Sequence, residues 1–198
     1  ASESGVWLKK RYQRVEDLKG IKMRFLGLGA KVMEKFGVKT LTLSWNEVLP
    51  ALKKGRIDAA EFASPYFDFP MGLYKHAKFN YYPGWLQQTN VTELVINKKK
   101  WDRLNKAYQT IINTTCDDAY LWSSIKTNEI QANVMLELKN NGAIFTKWND
   151  SELKKLENAW NEVADEISDQ DPLFSKVYAK YKAFRQKYAI WGDRAYLK

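Results

Sequence analysis

Cysteine and histidine are almost absent from this sequence, which has one of each, Cys116 and His76, in 198 residues. A single cysteine cannot form a disulfide within the chain or a thiolate metal cluster. A single histidine argues against a zinc enzyme, a Cys–His nucleophile pair or a Ser–His–acid triad, because each needs an imidazole beside another specific group. We expect Cys116 to be a thiol buried in a helix and His76 to be a surface or capping imidazole.

Long apolar runs and catalytic glycine motifs are also missing. Residues 1–25 have no apolar core of signal-peptide length, and no stretch approaches the length of a membrane span. Neither G-x-S-x-G nor G-x-x-x-x-G-K-[ST] occurs. An enzyme that uses only carboxylates stays open, but no pair of carboxylates stands out, so we expect a protein that is not an enzyme.

Basic residues outnumber acidic ones, with 32 Lys and Arg against 23 Asp and Glu, which gives a formal charge of +9. This charge could attract an anionic surface, an acidic ligand or nucleic acid. The lysines are scattered along helical stretches, as is typical of solvated helix faces, and no nucleic-acid-binding motif accompanies them. We therefore expect no nucleic-acid partner.

Strands and helices alternate between Lys19 and Pro65, which predicts an α/β fold with parallel pairing. The predicted strands are residues 21–26, 40–43 and 57–62, and Ser44 with Glu47 forms a capping box for the second helix. Arg24 and Glu61 stand at the ends of two of these strands. Open α/β sheets present such residues to small ligands at the carboxyl ends of their strands, so we look for function at these two positions first.

The second half of the sequence has a different character, because neither Gly nor Pro occurs from Trp85 to Asn141. We predict a strand at residues 91–97 and then a helix over residues 106–140, with Asn105 as its cap. At roughly 1.5 Å per residue this helix is about 50 Å long, which suits a bridge between two lobes. Two more helices are predicted, one opened by a capping box of Asn149 and Glu152 and one restarting at Pro172.

Three stretches taken in order resemble the solute-binding proteins of tripartite ATP-independent periplasmic (TRAP) transporters, the DctP-type family. They are EDLKGIKMRFLGLGAKVMEKFG, GRIDAAEFASPYFDFPMGLYKHAKFNYYPGW and DPLFSKVYAKYKAFRQKYAIW. The resemblance implies a periplasmic-binding-protein-like lobe with a long bridging helix and C-terminal helices. It assigns residues 1–85 to the second α/β lobe and residues 86–198 to a crossing strand, the bridging helix and C-terminal helices. Most of the first lobe of the family is missing.

The resemblance also implies which residues bind the ligand. Arg24 in K-M-R matches the arginine that forms the main salt bridge to the ligand carboxylate, whereas sequence alone favours a surface ion pair there. Glu61 and Phe62 come directly after D-A-A. Trp85 is the tryptophan of P-G-W, and Gln87 stands two residues beyond it. Family members often have Trp and Glu where this chain has Phe62 and Gln87. Trp85 lines the pocket or fills the core, with core slightly favoured.

Two readings of Glu61 stay open. It could contribute to a cation site, holding sodium or calcium together with carbonyl and amide oxygens, or it could be a structural partner of a backbone amide or a lysine. We expect no other cofactor.

The implied function is that of an extracytoplasmic solute-binding component, which captures a small carboxylate in the periplasm for TRAP membrane permease subunits. Its signal peptide is not part of this chain. The alternative is a sensor or partner-binding module that kept the lobe and lost the pocket. We also expect the apolar stripes of the C-terminal helices to make the chain self-associate, as a homodimer.

Overall fold

The structure is a computed structural model that describes residues 3–89 and 91–195. Six strands and seven α-helices alternate through most of the described chain, with two short 3₁₀ helices at Val15–Leu18 and Leu73–Lys75. The strands are β1 (Val6–Leu8), β2 (Lys22–Arg24), β3 (Lys39–Leu41), β4 (Ala59–Glu61), β5 (Phe79–Tyr82) and β6 (Ile144–Lys147). The helices are α1 (Gly27–Lys35), α2 (Trp45–Lys53), α3 (Pro65–Met71), α4 (Lys98–Trp101), α5 (Lys106–Asn140), α6 (Asp150–Gln170) and α7 (Pro172–Ala195).

The strands form one mixed sheet in the order β3-β2-β4-β1-β5-β6. The predicted parallel pairing is confirmed, since β2 runs parallel to both β3 and β4. β1 lies between β4 and β5 and is antiparallel to both, while β6 extends the sheet parallel to β5. The sequence did not predict β1, β5 or β6. They matter for function because β1 and β5 place the residues beside the carboxyl end of β4.

Local signals in the sequence explain where the helices begin. α2 opens with the predicted capping box, in which the Ser44 amide donates to Glu47 Oε2 at 2.9 Å. α5 begins where predicted, because the Tyr108 amide donates to the side chain of its cap, Asn105. Its length agrees with the prediction as well. Since it contains neither Gly nor Pro, nothing in its sequence interrupts the helical hydrogen-bond pattern.

Two buried apolar clusters pack against the sheet. The first joins Met23, Phe25, the apolar residues of α1 and the inward stripe of α6, including Leu156 and Val163. The second contains Trp7 of β1, Val48 and Leu52 of α2, and Leu138 near the end of α5. Through these clusters α6 and the end of α5 both support the sheet, although both follow the first 85 residues along the chain.

Three predictions made from the sequence are wrong. Residues 91–97 form no strand, and Val91, Leu94 and Val95 are exposed, because nothing in the described chain pairs with them. Cys116 is exposed rather than buried, since it lies on a solvated part of α5. Glu152 does not complete a capping box with Asn149. Asn149 caps α6, but the Glu152 carboxylate instead accepts from the Val15 amide at 2.7 Å and ties α6 to the first 3₁₀ helix.

Two helical segments lie outside the packed region. Residues 113–123 of α5 and residues 179–191 of α7 are exposed throughout. In α7, Tyr178 is buried against Trp160 of α6, with ring centroids 6.2 Å apart. Exposed apolar side chains then repeat at helical spacing and form what we call the α7 seam: Val177, Tyr181, Phe184, Tyr188 and Trp191. In the described part of the chain, no helix is both long and apolar enough to cross a membrane.

Candidate functional site

Arg24 and Glu61 end two adjacent parallel strands, β2 and β4, and their side chains meet there. Arg24 Nη1 donates to Glu61 Oε2 at 2.7 Å and to the Glu61 carbonyl oxygen at 2.6 Å. The Arg24 side chain is 2% exposed and that of Glu61 is 12% exposed. The pair is therefore a buried salt bridge at the carboxyl edge of the sheet, which is where the sequence placed the site.

The Arg24 guanidinium is held from further sides. Its Nε donates to the carbonyl oxygen of Leu43, just after β3, at 3.3 Å. Its central carbon lies 5.8 Å from the ring centroid of Phe62, close enough for a cation–π contact. The Phe62 ring in turn packs on Trp45, with centroids 4.4 Å apart. Phe62 thus lies in the core beneath the guanidinium, where it fixes the orientation of Arg24.

Burial dominates the electrostatics of Glu61. It raises the pKa of this carboxyl to about 7, because removing a carboxylate from water disfavours its charged form. The positive charge of Arg24 acts in the opposite direction, while the nearby carboxyls of Glu3 and Asp68 add to the rise. A positive charge placed beside Glu61 would therefore stabilise its ionised form.

A narrow cleft opens beside Glu61. Its lining comes from β1 and the segment before it, from Phe25, and from the turn after β5: Glu3, Ser4, Gly5, Val6, Phe25, Glu61, Gly84, Trp85, Leu86 and Gln87. Its volume is about 10 Å³, close to the minimum for one water molecule. Of the predicted site residues, Glu61, Trp85 and Gln87 line this cleft. Arg24 lies behind Glu61, and Phe62 lies below Arg24.

Trp85 lies both at the edge of the core and on the wall of the cleft. It is half-buried, and its ring lies 5.9 Å from that of Phe25 at 34°, so it belongs to the edge of the core. It also forms part of the cleft wall. Gln87 is tied to the same wall through its carbonyl oxygen, which accepts from the Glu3 amide at 3.1 Å.

Asp68 is the residue of this region that sequence reasoning missed. It is fully buried and accepts from Trp7 Nε1 at 2.7 Å, from Ser4 Oγ at 3.0 Å and from the Ala63 amide at 3.1 Å. Burial raises its pKa to about 7, against these hydrogen bonds, which lower it. The signal in the sequence was an aspartate within the apolar run PYFDFPMG, four residues after the Ser64 cap.

A cation at Glu61 is compatible with the residues present. The Glu61 carboxylate and the carbonyl oxygens around the cleft are the ligands that hard cations prefer. Among residues 3–89 and 91–195, no three His, Cys, Asp or Glu side chains are grouped as metal ligands. A cation there would have two carboxyl groups within the cleft lining, those of Glu61 and Glu3, and would otherwise depend on neutral oxygens.

A comparison with known families identifies the family of this chain. Residues 6–171 match the model of the DctP family, described as bacterial extracellular solute-binding protein, family 7. The chain belongs to the DctP family. This family consists of solute-binding proteins rather than enzymes, and the α/β architecture predicted from the sequence is confirmed by its solved members.

Relatives of this DctP-family chain are described by what they bind. A monocarboxylate 2-oxoacid-binding periplasmic protein of Nostoc sp. is 34% identical over 191 residues, which is 96% of this chain and 52% of that protein. A TRAP solute-binding protein of Colwellia psychrerythraea, solved with calcium and pyruvate, has 27% identity and a TM-score of 0.86, covering 99% of this chain and 61% of that one.

A third relative comes from Bordetella bronchiseptica RB50 and was solved as a mixed occupancy dimer with calcium and picolinate. It has 28% identity and a TM-score of 0.85, and the match covers 96% of this chain and 56% of that one. The chain therefore spans about half the length of the curated relative and somewhat more of the solved ones.

Proposed function

We propose that this chain is part of an extracytoplasmic solute-binding component of a TRAP transporter, which captures a small organic acid for uptake across the membrane. The observation that carries the proposal is the Arg24 guanidinium, held buried at the carboxyl end of a parallel strand and facing an acidic residue beside a cleft. A guanidinium offers two parallel donors to a carboxylate and stays charged at any physiological pH.

The ligand carboxylate would take the place at Arg24 that Glu61 now occupies. Glu61 would then need a new partner, because a buried carboxylate without a positive neighbour is strongly disfavoured. A sodium or calcium ion held by Glu61 and neutral oxygens of the cleft wall, with Gln87 beside them, would supply that charge. This assignment follows the calcium that accompanies pyruvate in the Colwellia relative and the sodium that accompanies it in a Pseudoalteromonas atlantica relative of 27% identity.

The ligand class that these relatives favour is a small 2-oxoacid or a related monocarboxylate. Since this chain spans about half of the curated relative, we propose that residues 1–85 form most of one lobe and that residues 86–198 supply a crossing segment, the bridging helix and C-terminal helices. The exposed residues 91–97 would pair with a strand of a longer protein. The location would be the periplasm and the partner the TRAP permease subunits.

Calorimetry with pyruvate as the probe, in calcium, in sodium and without either, tests the assignment of Arg24. Arg24→Lys keeps the charge but loses the paired donors, so we expect binding to weaken by about tenfold to a hundredfold. Lys31→Ala, an exposed change on α1, is the control and should leave binding unchanged. Equal affinity for wild type and Arg24→Lys would contradict this role, and a chain that no organic acid binds or stabilises would instead favour a partner-binding module.

We also propose that the chain forms a homodimer through the α7 seam. Exposed aromatic side chains at core spacing on a projecting helix need a cover, and the Bordetella relative was solved as a dimer. The charge of +9 opposes association, so dimers should increase as salt screens it. Sedimentation velocity of wild type and Phe184→Glu, from low to moderate salt, provides the measurement. The proposal is wrong if wild type stays monomeric throughout, or if Phe184→Glu dimerises equally well.

A further inference from the structure

The basic residues of positions 1–85 are concentrated on one side of the sheet. This part of the sequence has 15 Lys and Arg against 8 Asp and Glu, so it carries most of the formal charge of +9. Many of these basic residues lie at the edge of the sheet opposite the Arg24–Glu61 pair. We call this group the basic edge and define it by nine residues: Lys9, Lys10, Lys19, Lys22, Lys39, Lys53, Lys54, Arg56 and Lys78.

The topology of the sheet gathers these residues. β2, β3, β4 and β5 run in one direction, so their amino ends meet at one edge, and the antiparallel β1 brings its carboxyl end there. Lys22 and Lys39 begin β2 and β3 and are paired in register. The Lys9 amide, just after β1, donates to the Asp58 carbonyl oxygen at 3.1 Å, and the Asp58 amide donates to the Lys22 carbonyl oxygen at 2.7 Å. The other members lie in the turns between β1 and β2, after α2 and before β5.

The charges of the basic edge are not neutralised by ion pairs. Lys9 is half-buried and the other members are exposed, and in the part of the chain that the structure describes none of them lies within salt-bridge distance of a carboxylate. Asp58 and Glu34 lie at this edge, but Asp58 Oδ2 accepts from the Lys22 amide at 3.0 Å and Glu34 accepts from the Thr40 hydroxyl. The edge therefore presents an excess of positive charge to its surroundings.

An open cavity of about 360 Å³ lies within the basic edge, between the turn after β1 and the turn before β2. Its lining is mostly polar: Lys9, Lys10, Tyr12, Lys19, Gly20, Ile21 and Asp58. Three lysines and a tyrosine can donate hydrogen bonds there, against the single carboxylate of Asp58. The cavity therefore has room and donors for the phosphate group of a lipid headgroup.

The composition of the basic edge favours a membrane surface over a protein partner. All of its members except Arg56 are lysines, and lysine is depleted in protein interfaces, whose centres are enriched in aromatic residues, Met and Arg. The exposed large apolar side chains of residues 3–85 lie at the opposite edge of the sheet, after β2, β3 and β4: Leu26, Trp45, Tyr66 and Phe67. Clusters of roughly four to eight basic residues are typical of segments that bind anionic lipid headgroups.

We propose that the basic edge docks this chain on a bilayer that contains anionic phospholipids. The lysine side chains are long and flexible, so they contact the headgroup phosphates without entering the acyl region. The Arg24–Glu61 pair, at the other edge of the sheet, faces away from the bilayer. Docking uses no residue of the cleft, so it holds or fails independently of the proposed capture of an organic acid.

Co-sedimentation of the 198-residue chain with lipid vesicles measures the docking. Wild type should bind vesicles of phosphatidylcholine with phosphatidylglycerol, bind vesicles of phosphatidylcholine alone far less, and dissociate as salt screens the attraction. The edge variant Lys10→Gln/Lys22→Gln/Lys39→Gln removes three charges from the basic edge. It should weaken binding to the anionic vesicles about a hundredfold, because each basic residue near an anionic surface strengthens binding about fivefold.

A variant of α7 provides the matched control. Lys180→Gln/Lys182→Gln/Lys187→Gln removes the same charge from exposed positions outside the basic edge and should bind the anionic vesicles nearly as wild type does. Circular dichroism checks that each variant is folded. If the edge variant does not fold, a variant that leaves the strands unchanged replaces it, with the same expected loss: Lys10→Gln/Lys53→Gln/Lys54→Gln.

Three results would overturn the proposal. Equal binding to both kinds of vesicle would show that apolar side chains, such as those of the α7 seam, attach the chain to lipid. Equal losses in the edge variant and the α7 variant would show that only the net charge matters. Binding of inorganic phosphate or polyglutamate without binding of anionic vesicles would show that the basic edge serves a soluble anion or an acidic protein instead.

Discussion

The two ends of α5 belong to one helix but have different surroundings. Near its carboxyl end, Leu138 is 0% exposed and packs in the cluster that contains Trp7. Toward its amino end, Leu121 is 60% exposed and Trp122 is 66% exposed. The helix is nevertheless continuous from Lys106 to Asn140. Its continuity therefore comes from local propensity and an unbroken backbone hydrogen-bond pattern, while its attachment to the sheet comes from the last few turns.

The same contrast separates the sheet from α7. The sheet carries the buried Arg24–Glu61 pair and lies beside the buried Asp68, and each of these polar groups depends on neighbours from distant parts of the sequence. α7 carries the α7 seam, whose side chains are exposed. Tyr178 is the buried residue of this helix, and it packs on Trp160 of α6. Substitutions in the two regions should consequently differ in kind: those in the sheet should change folding, and those in the seam should change association.

The largest effect is expected from removing the buried charge of the sheet. Arg24→Ala leaves Glu61 buried without its partner, so we expect it to lower the free energy of unfolding by about 3–5 kcal/mol. Arg185→Ala removes the same charge from an exposed position on α7 and should change it by less than about 0.5 kcal/mol. Urea denaturation followed by circular dichroism measures both. Similar changes in the free energy of unfolding for the two variants would contradict the proposed difference between the sheet and α7.

Two leucines of α5 make the next comparison. Leu138→Ala creates a cavity in the second apolar cluster and should cost about 2–5 kcal/mol. Leu121→Ala makes the same change on the same helix, at an exposed position, and should have almost no effect on unfolding of the monomer. The comparison is made at low protein concentration, so that association does not contribute. A large loss in Leu121→Ala would show that the amino half of α5 is packed after all.

Asp68 should give the stability of the sheet a pH dependence. Its pKa is about 7 in the folded chain and near its ordinary value of 3.8 in the unfolded one, so the folded state binds more protons between these values. The free energy of unfolding should therefore fall as pH rises from about 4 to about 7, by about 1.4 kcal/mol per pH unit for this group. Glu61 shifts in the same direction.

Asp68→Asn should make that slope shallower by about one proton, while Glu3, Glu61 and Tyr82, the titratable groups that face Asp68, remain. Urea denaturation of both proteins at several pH values provides the measurement. An unchanged slope would mean that Asp68 ionises normally in the folded chain.

The smallest effect is expected where α1 meets α6. Lys35 on α1 pairs with Glu162 at 3.6 Å and with Glu166 on α6, and all three side chains are solvated. Surface pairs of this kind stabilise a protein little and are screened by salt. Lys35→Ala should therefore lower the melting temperature slightly, and less so at high salt. Lys126→Ala, which breaks a pair within α5, serves as the control, and a salt-independent loss in Lys35→Ala would point to packing instead.

The sequence was a good guide where local signals decide the structure. Capping residues fixed the starts of α2 and α5, and alternating strands and helices led to Arg24 and Glu61 at the ends of β2 and β4. The joint position of these two side chains also follows from parallel strands, because their carboxyl ends meet at one edge. The identity of a ligand could not be derived from these signals.

The sequence was a poor guide where distant segments decide. β1 is only three residues long and carries no alternation, and it exists because β4 and β5 pair with it on both sides. Residues 91–97 are rich in β-branched side chains, which favour strands, but have no partner in the described chain. The contacts of Asp68 with Trp7 and Ser4 join positions that are 61 and 64 residues apart, and no local pattern indicates them.

The place of β1 in the sheet has a consequence for how the chain folds. β1 is the earliest strand along the described chain, yet its neighbours are β4 and β5, so Trp7 must find Ala60 and Asn80. At a synthesis rate of roughly 5–20 residues per second, β1 leaves the ribosome several seconds before both partners exist. Pairing of such distant segments is slow, because a long loop must close before any contact forms. We expect folding of the sheet to begin with β2, β3 and β4, and β1 to join last.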